Sequence, residues 1–217
     1  MEFSSSRRIS YFCGMTDAAY QKYLKLNSLA SSYKALLFDV DGTLADNIDA
    51  HKAAYVAVSA EHGVDLDPDL IDETAGWPTI AVAKEISIRY NVELDIESFS
   101  KRKSAIFIER FIQATQPVDY VRQVLFDNVD THKIGIVSGG TRSTLAITLS
   151  VIDVAGKYES LVCAGDTPKG KPSPQPFLLA AEQLEVDPAD CLVFEDGDPG
   201  VQGAIAAGMG WVRVDQL

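Results

Sequence analysis

The chain has 217 residues, 47% of them apolar and 23% charged, with a formal net charge of -12. That length suits one large core, or a core plus a smaller inserted unit, because domains run to roughly 100–200 residues. No apolar run nears the roughly 20 residues of a membrane helix, and the acidic surplus argues against a nucleic-acid footprint, which needs a basic face.

Residues 1–33 carry Arg7, Arg8, Lys22 and Lys25 against Glu2 and Asp17, and they are rich in serine. This composition sets them apart as an N-terminal extension. It is compatible with an organelle-targeting peptide, while the run Asp17 to Leu29 reads as a short amphipathic helix. Cys13, Cys163 and Cys191 show neither disulfide-framework nor zinc-site spacing, which fits a reducing, cytoplasmic compartment.

The first strand is expected over Lys34 to Val40, a short apolar run that ends in carboxylates and a glycine, as a buried parallel strand would. Residues 47–115 then read as helical throughout. One helix runs from Ile48 to His62 and stops at Gly63, a second begins near Thr79, and a third runs from Glu97 to Ala114. From Lys133 the runs KIGIVS, ESLVCAG, CLVFED and WVRV alternate with helical segments, the grammar of a doubly wound parallel sheet. The expected architecture is therefore an α/β, Rossmann-like core of residues 34–46 and 116–217 with an α-helical cap domain, 47–115, inserted after the first strand.

In such sheets ligands gather beyond the carboxyl ends of the strands. Asp39 and Asp41 follow the first strand, Ser138 the second, and Glu195 and Asp196 the fourth, so one crevice would collect them. Two carboxylates at i and i+2 before Gly42 can divide their labour between a nucleophile attacking phosphorus and a proton shuttle. An anionic nucleophile and an anionic phosphate need a bridging cation, and hard Mg²⁺ suits the oxygens of Asp196 and Glu195. Ser138, with Gly139 and Gly140, offers a hydroxyl and backbone N–H groups to phosphate oxygens at a helix start. Lys171 offers a fixed positive charge. Each of these has a plainer reading, as turn chemistry, a helix cap or a solvated lysine; it is their joint order that points to phosphoryl chemistry.

The segments FDVDGTLADN, IVSGG, GKPSPQPF and VFEDGDPGVQGAIAAGM resemble the four motifs of the haloacid dehalogenase superfamily, in its order and across residues 34 to 217. The resemblance implies Asp39 as nucleophile and Asp41 as acid/base and, through its backbone carbonyl, a metal ligand. It implies Ser138, Gly139 and Lys171 as phosphate binders, and Asp39, Asp41, Glu195 and Asp196 around Mg²⁺. Aspartate at 41 separates the chain from the superfamily's dehalogenases and P-type ATPases and leaves the phosphatase and β-phosphoglucomutase branches.

Substrate choice is expected in the cap. His51 stands where it could reach substrate or Asp41, or serve only as a hinge partner. Trp77 could stack on a sugar or, the reading favoured here, pack between cap helices. Thr79 occupies the position where the mutase branch carries an arginine for a second phosphate, which favours a phosphatase, although Lys84 or Arg142 could substitute. The cap loop GWPT and the FEDGDPGVQ stretch are also similar to bacterial sugar-phosphate phosphatases. Gln175 and Pro176 depart from the usual motif and could alter how Lys171 is presented.

The expectation is a Mg²⁺-dependent enzyme, monomeric or weakly dimeric, acting through an aspartyl-phosphate on a small phosphorylated metabolite. A mutase is the alternative, and a receiver-like regulatory module ranks below both.

Overall fold

The computed structural model describes residues 15–74 and 76–217. Helix α1, Asp17–Ala30, leads into strand β1, Ala35–Phe38. Strand β2, Ala45–Asp46, and strand β3, Gln116–Pro117, bracket helices α2 (Ile48–Glu61), α3 (Asp69–Glu73), α4 (Thr79–Arg89) and α5 (Ile96–Arg110). The chain continues through α6 (Asp119–Asn128), β4 (Lys133–Val137), α7 (Arg142–Val151), β5 (Ser160–Val162), α8 (Gln175–Leu184), β6 (Cys191–Glu195), α9 (Asp198–Ala206) and β7 (Gly210–Arg213).

The main sheet has the order β5-β4-β1-β6-β7. Every pairing in it is parallel, with Phe38 opposite Ile136 on one side and Phe194 on the other. All of β1 and β6 and most of β4 are buried, as uninterrupted apolar runs require when both faces of a parallel sheet are covered. Side chains alternate between two layers. Leu36, Phe38, Ile134, Ile136, Leu192 and Phe194 pack towards α1, α6 and α7. Leu37, Val137 and Val193 pack towards α8 and α9. The rings of Phe38 and Phe194 stack at 4.5 Å, and truncating either to alanine should cost about 3–5 kcal/mol.

Helix α1, within the stretch set apart as an extension, lays Tyr23, Leu26 and Ala30 into this core. Tyr23 donates to Asp127 at 2.6 Å, and Asn128 to Asn27 at 2.8 Å. The targeting reading and Cys13 rest on residues outside those described. No described helix is long and apolar enough to cross a membrane.

A separate apolar cluster joins α2, α4 and α5 through Tyr55, Val58, Ile86, Phe99, Ile106 and Phe107. The expected third helix ends earlier, at Arg110, and residues 112–114 form one 3-10 turn. The antiparallel pairs Ala45 with Pro117 and Asp46 with Gln116 tie together the two passages between sheet and helices. Because the chain runs from β1 outwards to β4 and β5, then crosses to β6, the order reverses beside β1. That reversal opens a crevice at the carboxyl ends of β1, β4 and β6.

Candidate active site

The crevice is built around Asp39. Its amide extends the sheet to Phe194 O at 3.0 Å, and its buried carboxylate accepts from Lys171 Nζ at 2.6 Å. Lys171 comes from the loop between β5 and α8, and the same Nζ donates to Glu195 Oε1 at 2.5 Å. Glu195 ends β6, and its Oε2 accepts from the amides of Asp196 at 2.9 Å and Gly197 at 2.8 Å. Asp196 Oδ1 accepts from Thr43 Oγ1 at 2.8 Å. Two glycines make room for these carboxylates. A Cβ on Gly42, whose φ is +88°, would overlap Asp196, and one on Gly200 would overlap Glu195.

One oxygen from each of Asp39, Glu195 and Asp196 lies within 4.8 Å of the others. Burial raises Asp39 well above the usual carboxylate range; Lys171 opposes this, and Glu195 and Asp196 add to it. Burial, then the charge of Glu195, lifts Asp196 to about 6. Burial would lower Lys171, but Asp39 and Glu195 raise it above its ordinary value. Three carboxylates against one lysine leave a surplus of negative charge on hard oxygens, so the donor set suits a divalent cation such as Mg²⁺.

Asp41 is turned away from this cluster. Its Oδ1 accepts from Asn47 Nδ2 at 2.6 Å and faces His51 Nε2 at 3.2 Å. Burial pushes its pKa up, yet His51, Asn47 and Lys103 together bring it down to about 2. His51 lies on α2 with its ring 4.0 Å from that of Phe107, and Lys103 Nζ meets its Nδ1 at 2.6 Å. A lysine ammonium can only donate, so Nδ1 accepts and the ring proton sits on Nε2, from which it donates to Asp41. Burial and the Lys103 charge lower the His51 pKa, in keeping with a neutral ring, and Asp41 opposes them. Lys103 is itself 4% exposed and sits 4.4 Å from the centre of the Tyr55 ring. Burial lowers its pKa to about 8, against the pull of Asp41.

Ser138 follows β4, and its Oγ accepts from the Gly140 amide at 3.1 Å. Helix α7 starts only at Arg142, capped by Thr141, so Ser138 to Gly140 form a loop ahead of the helix rather than its first turn. Gln175 and Pro176 leave Lys171 in place: Gln175 Oε1 accepts from the Lys169 amide at 3.0 Å and braces the lysine loop.

Asp39, Asp41, Ser138, Gly139, Lys171, Glu195 and Asp196 all line one cleft of about 150 Å³, and His51, Trp77 and Thr79 line its helical side. The burial reading for Trp77 is corrected, since the side chain is 44% exposed at the cleft. Lys84 and Arg142 are absent from the lining, and Arg142 pairs with Asp166 at 2.6 Å. Lys103, Asn47 and Tyr55 were not foreseen. For Lys103 a signal existed, because it shares the apolar face of α5 with Phe99, Ile106 and Phe107 at helical spacing.

Residues 36–214 match the family described as haloacid dehalogenase-like hydrolase. The chain belongs to this family. It is 31% identical over 188 residues to the fructose-1-phosphate phosphatase YqaB of Escherichia coli (strain K12), covering 85% of this chain and 98% of that one. It is 28% identical over 196 residues to the β-phosphoglucomutase of Bacillus subtilis (strain 168), with 84% of each chain covered. The fold of this haloacid dehalogenase-like hydrolase is also that of the crystal structure of β-phosphoglucomutase from Clostridium difficile: TM-score 0.75, 23% identity, 83% of this chain and 84% of that one covered.

Proposed function

We propose that this haloacid dehalogenase-like hydrolase is a Mg²⁺-dependent phosphatase of small phosphate monoesters, sugar phosphates foremost, working through an aspartyl-phosphate on Asp39. The observation that carries this reading is the division between the two carboxylates of one turn. Asp39 is held by Lys171 in the acidic cluster, while Asp41 is held apart by Asn47 and His51. In this reading Asp39 attacks and Asp41 moves a proton, and a module that only binds phosphate has no use for the second carboxylate. Similarity to relatives named as a fructose-1-phosphate phosphatase and, in Thermotoga maritima, a phosphorylated carbohydrates phosphatase supports the substrate class.

In this mechanism Ser138 Oγ, the amides of Gly139 and Gly140, and Lys171 Nζ hold the phosphoryl oxygens. A carboxylate oxygen of Asp39 forms a bond to phosphorus as the bond to the ester oxygen breaks, and Asp41, a carboxylate without substrate and protonated once the ester is bound, delivers that proton to the leaving oxygen. Asp41, again a carboxylate, then takes a proton from water as the water oxygen bonds to phosphorus. Phosphate leaves and Asp39 is restored. Asp39, Asp196 and Glu195, with the backbone carbonyl of Asp41, would hold Mg²⁺, whose charge lets an anionic carboxylate approach an anionic phosphoryl group. The domains are a core of residues 34–46 and 116–217, with α1 packed on it, and a cap of residues 47–115. The free, buried thiols of Cys163 and Cys191 suit a reducing compartment such as the cytoplasm.

Phosphate release from a panel of sugar phosphates, with Mg²⁺ or with EDTA, tests the reading. Release should need Mg²⁺ and vanish in Asp39→Asn; release that persists in that variant would overturn it. Similarity to a β-phosphoglucomutase supports a second reading, phosphoryl transfer between sugar hydroxyls. Isomerisation of β-glucose 1-phosphate without release of phosphate would establish that one instead.

A further inference from the structure

The phosphatase reading leaves open which part of a substrate faces the cap, and the charges around the cleft answer that. Among the described residues the cationic side chains that line the cleft, Lys171 and Lys103, each already have a partner. Lys171 is bound to Asp39 and Glu195. Lys103 is directed at His51, through which its charge is balanced by Asp41. No arginine lines the cleft among the described residues. Lys52, on α2, points at the carboxylate of Asp72, 2.6 Å away, and it is Asp72 rather than Lys52 that borders the cleft.

The rest of the cap wall is uncharged. Tyr55 and Thr79 present hydroxyls. Ile48, Ile71 and Val82 present apolar surface, and the half-exposed ring of Trp77 can cover the C–H face of a sugar. An ester with a second phosphate or a carboxylate would therefore bring its distal charge towards Asp72, with no free cation in the described lining to receive it. Charge rejection of this kind separates ligands more strongly than a small change of apolar contact does.

On that basis, and resting on the phosphatase reading, we infer that the cleft selects monophosphates whose remainder is uncharged and hydroxylated, and that Asp72 is the residue that turns away a second anionic group. The cap wall then works as a charge filter, distinct from the phosphate grip of the core.

The test compares kcat/KM for fructose 1-phosphate against fructose 1,6-bisphosphate and for glycerol 1-phosphate against phosphoglycolate. p-Nitrophenyl phosphate serves as a substrate whose turnover reports the phosphatase reading alone. Binding of the same esters to Asp39→Asn with Mg²⁺, read by calorimetry, supplies a measure that needs no turnover. The neutral member of each pair should be favoured at least tenfold in both readouts, and Asp72→Asn should shrink that gap threefold or more. If p-nitrophenyl phosphate is hydrolysed but the anionic esters do as well as the neutral ones, the charge filter falls while the phosphatase stands. A gap unchanged in Asp72→Asn would overturn the role given to Asp72. If none of the esters is hydrolysed, p-nitrophenyl phosphate included, the phosphatase reading fails and calorimetry still decides the filter, with equal or tighter binding of the anionic esters counting against it.

Discussion

Lys103 Nζ lies 2.6 Å from Nδ1 of His51, and this contact fixes which nitrogen of the ring faces Asp41. A lysine on α5 thereby sets the hydrogen bonding of a carboxylate in the turn after β1. In Lys103→Met the stem would still pack against Tyr55 and Phe107, but Nδ1 would lose its donor and the ring could take either tautomer. We expect kcat to fall by about 10²-fold, the lower end of the effect of a positioned acid/base group, with a much smaller change in KM. Because burial brings Lys103 to about 8, native kcat/KM should decline above about pH 8, and that limb should be missing in Lys103→Met. A pH–rate series on both proteins checks this.

The same substitution should act on stability in the opposite direction. The Lys103 pKa is about 8 when folded against 10.5 for an ordinary lysine. Between those values the unfolded chain binds more protons than the native one, so stability rises with pH through that window, and the cost of the buried charge is present in full below it. Lys103→Met removes that cost. It should raise stability at pH 7 by on the order of 1–3 kcal/mol, given about 1.4 kcal/mol per pKa unit over a net shift that already includes the attraction to Asp41, less the hydrogen bond to His51 that is lost. The gain should shrink towards pH 10. Thermal unfolding at the two pH values gives the sign.

Gly200 offers a test that leaves every charged group in the sequence. Any Cβ there would overlap Glu195, so Gly200→Ala must push that carboxylate off Lys171 and the amides of Asp196 and Gly197. An activity loss of about 100-fold is expected, comparable to removing one transition-state donor. Gly200 lies within α9, where alanine gains up to about 1 kcal/mol of helix propensity. The melting temperature should therefore fall by less than the activity loss would suggest, and melting measured beside kcat separates a displaced Glu195 from an unfolded protein.

Mg²⁺ should stabilise the protein as well as activate it. Asp39, Glu195 and Asp196 hold their oxygens close together, and among the described residues Lys171 is the cation paired with them. A cation that binds only the native state adds about 2.7 kcal/mol at one hundred times its dissociation constant. The melting temperature should rise with Mg²⁺ concentration and fall back with EDTA, and Asp196→Asn should blunt the rise. A melting temperature indifferent to Mg²⁺ would count against the cluster as the metal site.

The sheet was legible because β1, β4 and β6 are apolar runs, the pattern that burial on both faces produces, and each leads into polar residues of the cleft. The turn carboxylates, Ser138 and Lys171 were legible through their order along the chain. The packing of α1 was not, since its buried stripe is only Tyr23, Leu26 and Ala30, and a stripe that narrow acquires meaning only when α6 lies against it. Helix α3 has five residues and follows Pro68, too short to show a period. Lys103 could have been read from its place among Phe99, Ile106 and Phe107, but its partner His51 stands 52 positions away and no local pattern joins the two. Trp77 looked like core because large aromatic side chains usually are; only the fold shows it facing the cleft.

Covalent phosphorylation of Asp39 is the centre of the account, and rapid acid quench of single turnovers with a ³²P-labelled sugar phosphate tests it most directly. Label should appear transiently on the peptide containing Asp39, decay as free phosphate forms, and be absent from Asp39→Asn. Free phosphate that forms with no labelled protein at any time, and with Asp39→Asn as fast as the native chain, would contradict it.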